Sequence, residues 1–126
     1  MKALLLLLLL LLARSCRAAS PCDNMLWGIQ APETNPMLVR LGPLPSPTIS
    51  VVGPSPACFD LTLDTNTDTL YCIDSAANNR LQTINKATGA GTIVGPLNIG
   101  QSITLDCGLA FDPNTNTLYL TTLFNQ

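Results

Sequence analysis

The chain has 126 residues, of which 47% are hydrophobic and 11% charged, and its formal net charge is −2. Six basic side chains and no histidine exclude the strongly basic surface of a nucleic-acid-binding protein and the histidine ligands typical of zinc sites. Few charges, together with many threonine and asparagine residues, fit a β-rich extracellular protein.

The N-terminus predicts the compartment. Met1-Lys2 is a short basic start, and Ala3–Ala13 is an apolar run that contains nine leucines. This run is shorter than the about 20 residues that span a bilayer, so it predicts a secretory signal peptide over residues 1–18. The alternative is a lipid anchor on Cys16, but Arg14 stands where a lipoprotein signal has a small residue.

Removal of residues 1–18 leaves three cationic side chains and eight carboxylates, a net charge of −5. An acidic surface without a basic run argues against nucleic acid and anionic membranes as partners. We therefore expect a secreted protein without a membrane span.

The mature chain begins with a predicted group of strands over residues 24–56. Its apolar runs are Met25–Gln30, Met37–Leu41 and Ile49–Val52. Between the last two runs lies the proline-rich segment Gly42–Pro47, which we predict to be a loop because proline cannot donate to a sheet ladder. A linker or a ligand for proline-recognition domains is the alternative.

Residues 57–98 show the clearest pattern, with period-two alternation and no helical periodicity. Four strands are predicted, over Cys58–Asp64, Thr69–Asp74, Arg80–Lys86 and Thr92–Val94. An Asp- and Asn-rich turn, a small polar loop and a glycine-bearing turn separate them.

Residues 105–126 repeat the beginning of this unit. Leu109–Thr122 aligns with Leu61–Asp74 at a shift of 48 residues, and Val52-Gly53-Pro54 aligns with Val94-Gly95-Pro96 at a shift of 42. A non-helical repeat of this length is typical of the four-stranded blades of a β-propeller. The predicted fold is all-β, with about two and a half antiparallel blades over residues 19–126.

A closed propeller needs about four to eight blades. Two and a half blades would leave a large apolar face and an unpaired edge. We therefore expect an incomplete propeller, either a fragment of a longer product or a short chain that completes its ring by self-association.

The repeated segments resemble those of known propellers. Gly108–Pro113 followed by Thr117–Tyr119 is similar to the first two strands of NHL, YWTD and gluconolactonase-type blades. The run Ile84–Gly89, which leads to Val94–Pro96, resembles uncharacterised propellers with a TINPATGA…VGP repeat. The resemblance implies the fold and says little about chemistry, because this fold hosts unrelated functions.

Four cysteines follow the predicted cleavage site: Cys22, Cys58, Cys72 and Cys107. In an oxidising compartment an even number favours disulfides over buried free thiols, and three pairings are open. Because Cys58 and Cys107 open the first strands of consecutive predicted blades, a link across blades is one of the options.

Several acidic positions are candidates for metal chemistry. Asp64-x-Asn66-x-Asp68 and Asp112-x-Asn114-x-Asn116 have the oxygen spacing of a calcium loop, but both lack its later glycine and glutamate. We favour hairpin turns and keep calcium as the alternative. Asp60 and Asp106 lie near first strands, where gluconolactonase-type propellers hold a divalent metal, but no full ligand set can be matched.

Two further groups of residues are predicted to be structural. Asp74, with Asn78, Asn79 and Arg80, resembles the loop after the second strand of NHL and YWTD blades, which implies that these side chains hold the loop. The aromatic residues Trp27, Tyr71 and Tyr119 fall at one repeat position. We expect them to pack between blades.

These observations favour a secreted, non-catalytic propeller module that binds a protein or carbohydrate through its loop face. The alternative is a metal-dependent propeller hydrolase of the lactonase or strictosidine-synthase type, with most of its site outside these residues. No cofactor is indicated apart from the weak calcium pattern.

Overall fold

The computed structural model describes residues 25–30, 35–42, 48–74, 79–100, 103 and 107–122. Several predicted features lie outside the described residues: the signal peptide over 1–18, Cys22, the proline-rich residues 43–47, Asn78 and Asp106.

The described residues form nine strands: β1 (Leu26–Gln30), β2 (Met37–Gly42), β3 (Thr48–Pro54), β4 (Cys58–Asp64), β5 (Thr69–Asp74), β6 (Arg80–Ile84), β7 (Gly91–Pro96), β8 (Cys107–Asp112) and β9 (Thr117–Thr122). They build three sheets, with orders β1-β2-β3, β4-β5-β6-β7 and β8-β9, and all neighbours are antiparallel. The prediction of an all-β, antiparallel fold is confirmed. Among the described residues, no helix has the length and apolar character needed to cross a membrane.

Several observed strand ends differ from the predicted ones. Strand β2 includes Gly42, which was predicted to be the first residue of the proline-rich loop. Strands β3 and β7 continue through Gly53-Pro54 and Gly95-Pro96, which the sequence pattern placed after the strands. Both strands are last in their sheets, where a proline without an N–H is tolerated because no further strand needs that donor. Strand β6 ends at Ile84, two residues earlier than predicted, because Asn85 begins the following turn.

The first two sheets share an irregularity at the same place. In the first sheet, Leu38 pairs with Gly53 and the register then shifts so that Val39 pairs with Val51. In the second sheet, Leu81 pairs with Gly95 and the register shifts in the same way before Gln82. The extra residue is Val52 in one sheet and Val94 in the other, which is the valine of the Val-Gly-Pro motif. A bulge of this kind bends its strand.

The sheets pack face to face, with the second sheet in the middle. One apolar cluster joins the first two sheets; its buried members are Leu38, Leu70, Cys72 and Ile84. A second cluster joins the second and third sheets through buried Ile73, Ile103 and Leu109. Successive side chains of β5 therefore pack on opposite faces of the sheet, because side chains alternate between the two faces along a strand. The first strands of the sheets are also neighbours, since β4 contacts both β1 and β8.

A disulfide joins Cys58 to Cys72 across the β4–β5 pair, with a Cα–Cα distance of 5.8 Å. It excludes the link between Cys58 and Cys107 that the sequence left open. The sequence pattern could not foresee this because the register of β4 shifts between Cys58 and Leu61, which displaces Cys58 from simple hairpin pairing. Cys107 is half-buried at the start of β8.

Candidate functional site

A polar groove of about 420 Å³ opens on the second sheet. It lies between the start of β5, the end of β6, the β6–β7 turn and β7. Its lining residues are Asp68, Thr69, Thr83, Ile84, Asn85, Lys86, Ala87 and Thr92. Hydroxyl, amide, carboxylate and ammonium groups therefore share one small concave surface, so the groove offers both hydrogen-bond donors and acceptors.

The β6–β7 turn that forms one wall of the groove is held by its first residue. The Oδ1 of Asn85 accepts hydrogen bonds from the backbone N–H groups of Ala87 at 2.8 Å and Thr88 at 3.1 Å. The Asn85 carbonyl accepts a hydrogen bond from Gly89 N–H at 2.8 Å, and Asn85 N–H donates to the Ala90 carbonyl oxygen at 2.8 Å. Gly89 closes the turn with φ of +83°, which glycine adopts without steric cost. The wall is thus a fixed loop.

Two charges face each other in the groove. Lys86 Nζ forms an ion pair with Asp68 Oδ1 and also lies 5.7 Å from the centre of the Trp27 ring in the first sheet. A cation within about 6 Å of an indole face is attracted by the ring. Lys86 therefore positions the groove wall against the first sheet while keeping its ammonium group beside Asp68.

Asp60 joins the second sheet to the third. Its Oδ1 accepts a hydrogen bond from Leu61 N–H at 2.8 Å, and its Oδ2 accepts one from Leu109 N–H at 2.6 Å. Both carboxylate oxygens of this candidate metal ligand are thus bound to backbone donors. This arrangement positions β8 beside β4, a role that sequence analysis missed because the two partners are far apart in the chain.

The two Asp-Asn loops are hairpin turns of the same construction. Asp64 Oδ1 accepts from Asn66 N–H at 2.8 Å, and its Oδ2 accepts from the Thr67 hydroxyl at 2.6 Å. Asp112 makes the equivalent bonds in its own turn: its Oδ1 accepts from Asn114 N–H at 2.9 Å, and its Oδ2 accepts from the Thr115 hydroxyl at 2.8 Å. Both turns end on a residue with positive φ, Asp68 at 58° and Asn116 at 54°. Each of these carboxylates therefore stabilises the turn that it begins.

These hydrogen bonds also set the acidity of the turn carboxylates. Burial raises the pKa of Asp64, but the bonds from the Thr67 hydroxyl and from the N–H groups of Asn66 and Thr67 together outweigh it, so the pKa lies below its ordinary value. Asp112 also has a lowered pKa, because Asn114 N–H and the Thr115 hydroxyl donate to it. Donors to the ionised form favour that form.

We expect Asp64→Asn to reduce the acid sensitivity of the fold. Because the folded-state pKa is lowered, the carboxylate contributes stability above its unfolded pKa of about 3.9, and this contribution is lost as the pH falls through the folded pKa. The thermal midpoint of the wild type should therefore fall more steeply below about pH 4 than that of the variant. Calorimetry from neutral pH down to acid tests this, and parallel curves would contradict it.

Within the described ranges, no group of three or more histidine, cysteine, aspartate or glutamate side chains gathers where it could hold a metal ion. Asn66 reaches instead from its turn to the equivalent turn of the third sheet. Its Nδ2 donates to Pro113 O at 2.9 Å and to Asn116 Oδ1 at 3.3 Å. The candidate calcium loops are therefore joined to each other by an amide contact.

Three of the residues predicted to be structural, Asp74, Asn79 and Arg80, lie at the end of β5 and the start of β6 and make polar contacts there. Arg80 Nε donates to Asp74 Oδ2 at 3.0 Å and forms an ion pair with the same carboxylate, which is buried. Asn79 accepts from Ile103 N–H at 2.9 Å through its side chain and from Leu97 N–H at 2.9 Å through its carbonyl. The two Asn79 bonds therefore hold Leu97 and Ile103 beside the start of β6.

The repeated aromatic residues take different environments. Trp27 packs against the cluster between the first two sheets, and Tyr71 packs against the cluster between the second and third. These two positions agree with the expected packing between sheets. Tyr119, on β9, is 53% exposed, so it does not share that environment among the described residues.

The groove itself was missed by sequence analysis. Asp68 was considered only as a member of a calcium-like loop, and Asn85 and Lys86 only as parts of a strand, its turn and a repeated motif. The one available signal was the Asn85–Gly89 segment, whose turn-forming residues predict a rigid loop. Comparisons of the chain with protein-family models, with curated proteins and with solved structures found no match.

Proposed function

We propose that residues 19–126 are consecutive blades of a secreted, non-catalytic β-propeller module, and that the groove beside Lys86 binds a carbohydrate. The proposed compartment rests on the leader-like sequence over residues 1–18. The proposed arrangement rests on the packing of the sheets, and the proposed ligand rests on the groove.

Three features of the packing support the blade arrangement. The sheets stack face to face, and the first strands of the second and third units, β4 and β8, lie beside each other. In a propeller, the inner strands of neighbouring blades meet in this way around the axis. The same bulge occurs at Val52 and Val94, and Asn66 joins two turns of equal construction. These correspondences support successive copies of one unit.

The volume and the polar lining of the groove are the observations that favour a carbohydrate as the ligand. A volume of about 420 Å³ falls within the range of small-molecule sites. Six of its eight lining residues are polar or charged, so a ligand rich in hydroxyl groups would find both donors and acceptors. A protein ligand needs roughly 800 Å² of surface on each partner, which a groove of this size does not provide alone.

The hydrolase alternative has less support. The oxygens of Asp60 are occupied by two backbone donors, and the turn carboxylates are occupied by their own loops. A hydrolase of this kind would use a divalent metal, so calcium or magnesium should raise its thermal midpoint by mass action. A metal-induced rise would favour the hydrolase over the binding module.

Glycan-array screening, followed by calorimetric titration of the strongest sugar, tests the proposal. We expect Asp68→Asn to weaken binding by about tenfold or more, because it removes the acceptor charge from the groove. The substitution should leave the turn intact, since asparagine stands at the equivalent positive-φ position, Asn116. Lys86→Met should weaken binding to a similar degree.

The matched control is Arg40→Gln, which removes an exposed charge outside the groove lining. It should leave the affinity unchanged. The proposal would be contradicted if no sugar bound, or if Arg40→Gln weakened binding as much as Asp68→Asn. Binding of a protein that is insensitive to both groove variants would place the ligand surface elsewhere.

A further inference from the structure

A close backbone contact joins the first two sheets. A Cβ on Gly53 would lie 2.3 Å from Thr88 O, and a Cβ on Gly89 would lie 2.5 Å from Pro54 O. Neither position can carry a side chain without moving backbone, because real Cβ atoms do not approach oxygen so closely. The Asn85–Ala90 turn of the second sheet is thus fitted against the Gly53-Pro54 end of β3.

The same element occurs at the outer edge of the second sheet. Val94-Gly95-Pro96 repeats Val52-Gly53-Pro54, pairs with its neighbouring strand in the same register and carries the same bulge. A Cβ on Gly95 would nevertheless meet no described atom within 4 Å. Ile93 and Val94 beside it are 54% and 57% exposed. One copy of the element is therefore covered, and the other is open.

We propose that Val94-Gly95-Pro96, here called the Gly95 seat, docks the outer turn of a further repeat of the same kind. The turn that covers Gly53 is the model for this occupant. We expect a turn that begins with a capping asparagine and has a glycine with positive φ as its fifth residue. A backbone carbonyl of this turn would contact the Gly95 seat. The Asn85–Ala90 turn of a second copy is not the occupant, because it already covers Gly53 of its own chain.

The proposal rests on the repeat arrangement proposed above and is independent of the ligand groove. The counterparts of β4 and β5 in the third sheet are β8 and β9. The turn that would reach the Gly95 seat belongs between the counterparts of β6 and β7, and the described residues do not supply it. The seat thus continues the contact already formed between the first two sheets.

Supplying the turn as a peptide tests this. The probe is a peptide of residues 80–96 with its ends joined, since Arg80 pairs with Pro96 in the hairpin. In titrations of ¹⁵N-labelled protein, we expect shifts at Val94 and Gly95. Gly95→Ala should weaken binding by about tenfold or more, because the added methyl group would meet the peptide carbonyl.

Controls separate a lost contact from a lost fold. Gly95→Ala should keep the thermal midpoint within about 2 °C of wild type, because its methyl group meets open space. Gly28→Ala is the matched variant, since its Cβ would be 3.6 Å from Val39, and it should not affect the peptide. A peptide carrying Gly89→Ala should bind poorly, because alanine disfavours the positive φ.

The inference fails if the peptide causes no shifts at the seat or binds Gly95→Ala as tightly as wild type. It also fails if the protein self-associates without peptide and Gly95→Ala abolishes that association, because a second copy would then be the occupant. Sugar binding measured on the same samples should be unchanged by Gly95→Ala, so that a failure here is distinct from a failure of the proposed groove.

Discussion

Replacing Gly53 by alanine is expected to lower the free energy of unfolding by about 3 kcal/mol, which corresponds to a fall in thermal midpoint of roughly 10–20 °C. The new methyl group would lie 2.3 Å from Thr88 O and 3.2 Å from the carbonyl carbon of Thr88. Both atoms belong to the backbone of a turn fixed by Asn85, so a side-chain rotation cannot relieve the overlap. The first two sheets would have to separate.

Thermal and urea unfolding of Gly53→Ala and Gly28→Ala, measured side by side, test this prediction. Gly28→Ala is the suitable control because its added methyl group makes only an ordinary contact with Val39. A glycine-to-alanine change without strain even stabilises slightly by reducing the entropy of the unfolded chain. Equal midpoints for the two variants would mean that the turn does not contact β3 as described.

Removing the disulfide should have an effect of similar size. The double variant Cys58→Ala, Cys72→Ala is expected to lose about 3 kcal/mol, because the bond closes a loop with a sequence separation of 14 residues. Cys72 is also fully buried in the cluster between the first two sheets, so the lost sulfur atom leaves a small packing defect.

Reducing agent distinguishes the two contributions. In the presence of reductant, the free energy of unfolding of the wild type should fall most of the way to that of the double variant. The difference that remains measures the packing defect. A double variant as stable as the wild type without reductant would contradict the assigned pairing. Peptide mapping without reduction should also recover the peptides of Cys58 and Cys72 joined to each other.

Much of the local structure could be predicted from the sequence because its causes are local. Alternating apolar residues place β4, and aspartate and asparagine side chains build the turns after Asp64 and Asp112 from donors two or three residues away. These signals depend on a few neighbouring residues, so no knowledge of packing was needed. The repeated Val-Gly-Pro motif was used only to align the two units, and the bulge that both copies carry was not predicted.

The contacts between sheets could not be predicted in the same way. Asp60 bonds to Leu109 N–H, and Gly53 is covered by Thr88, yet neither contact follows from local spacing. The disulfide was equally hidden, because a register shift sets which residues lie opposite each other in β4 and β5. The groove combines residues from four elements, and only the packed sheet brings Asp68 to Lys86.

The central proposal is that the second and third units pack through their first strands, β4 and β8. The amide of Leu109 tests it most directly. Leu109 is buried and its N–H donates to Asp60 of the preceding unit at 2.6 Å. Hydrogen exchange measured by NMR should find this amide protected in the wild type and at least about tenfold less protected in Asp60→Ala. Fast exchange at Leu109 in the wild type, or protection unchanged by Asp60→Ala, would contradict the proposed packing of the units.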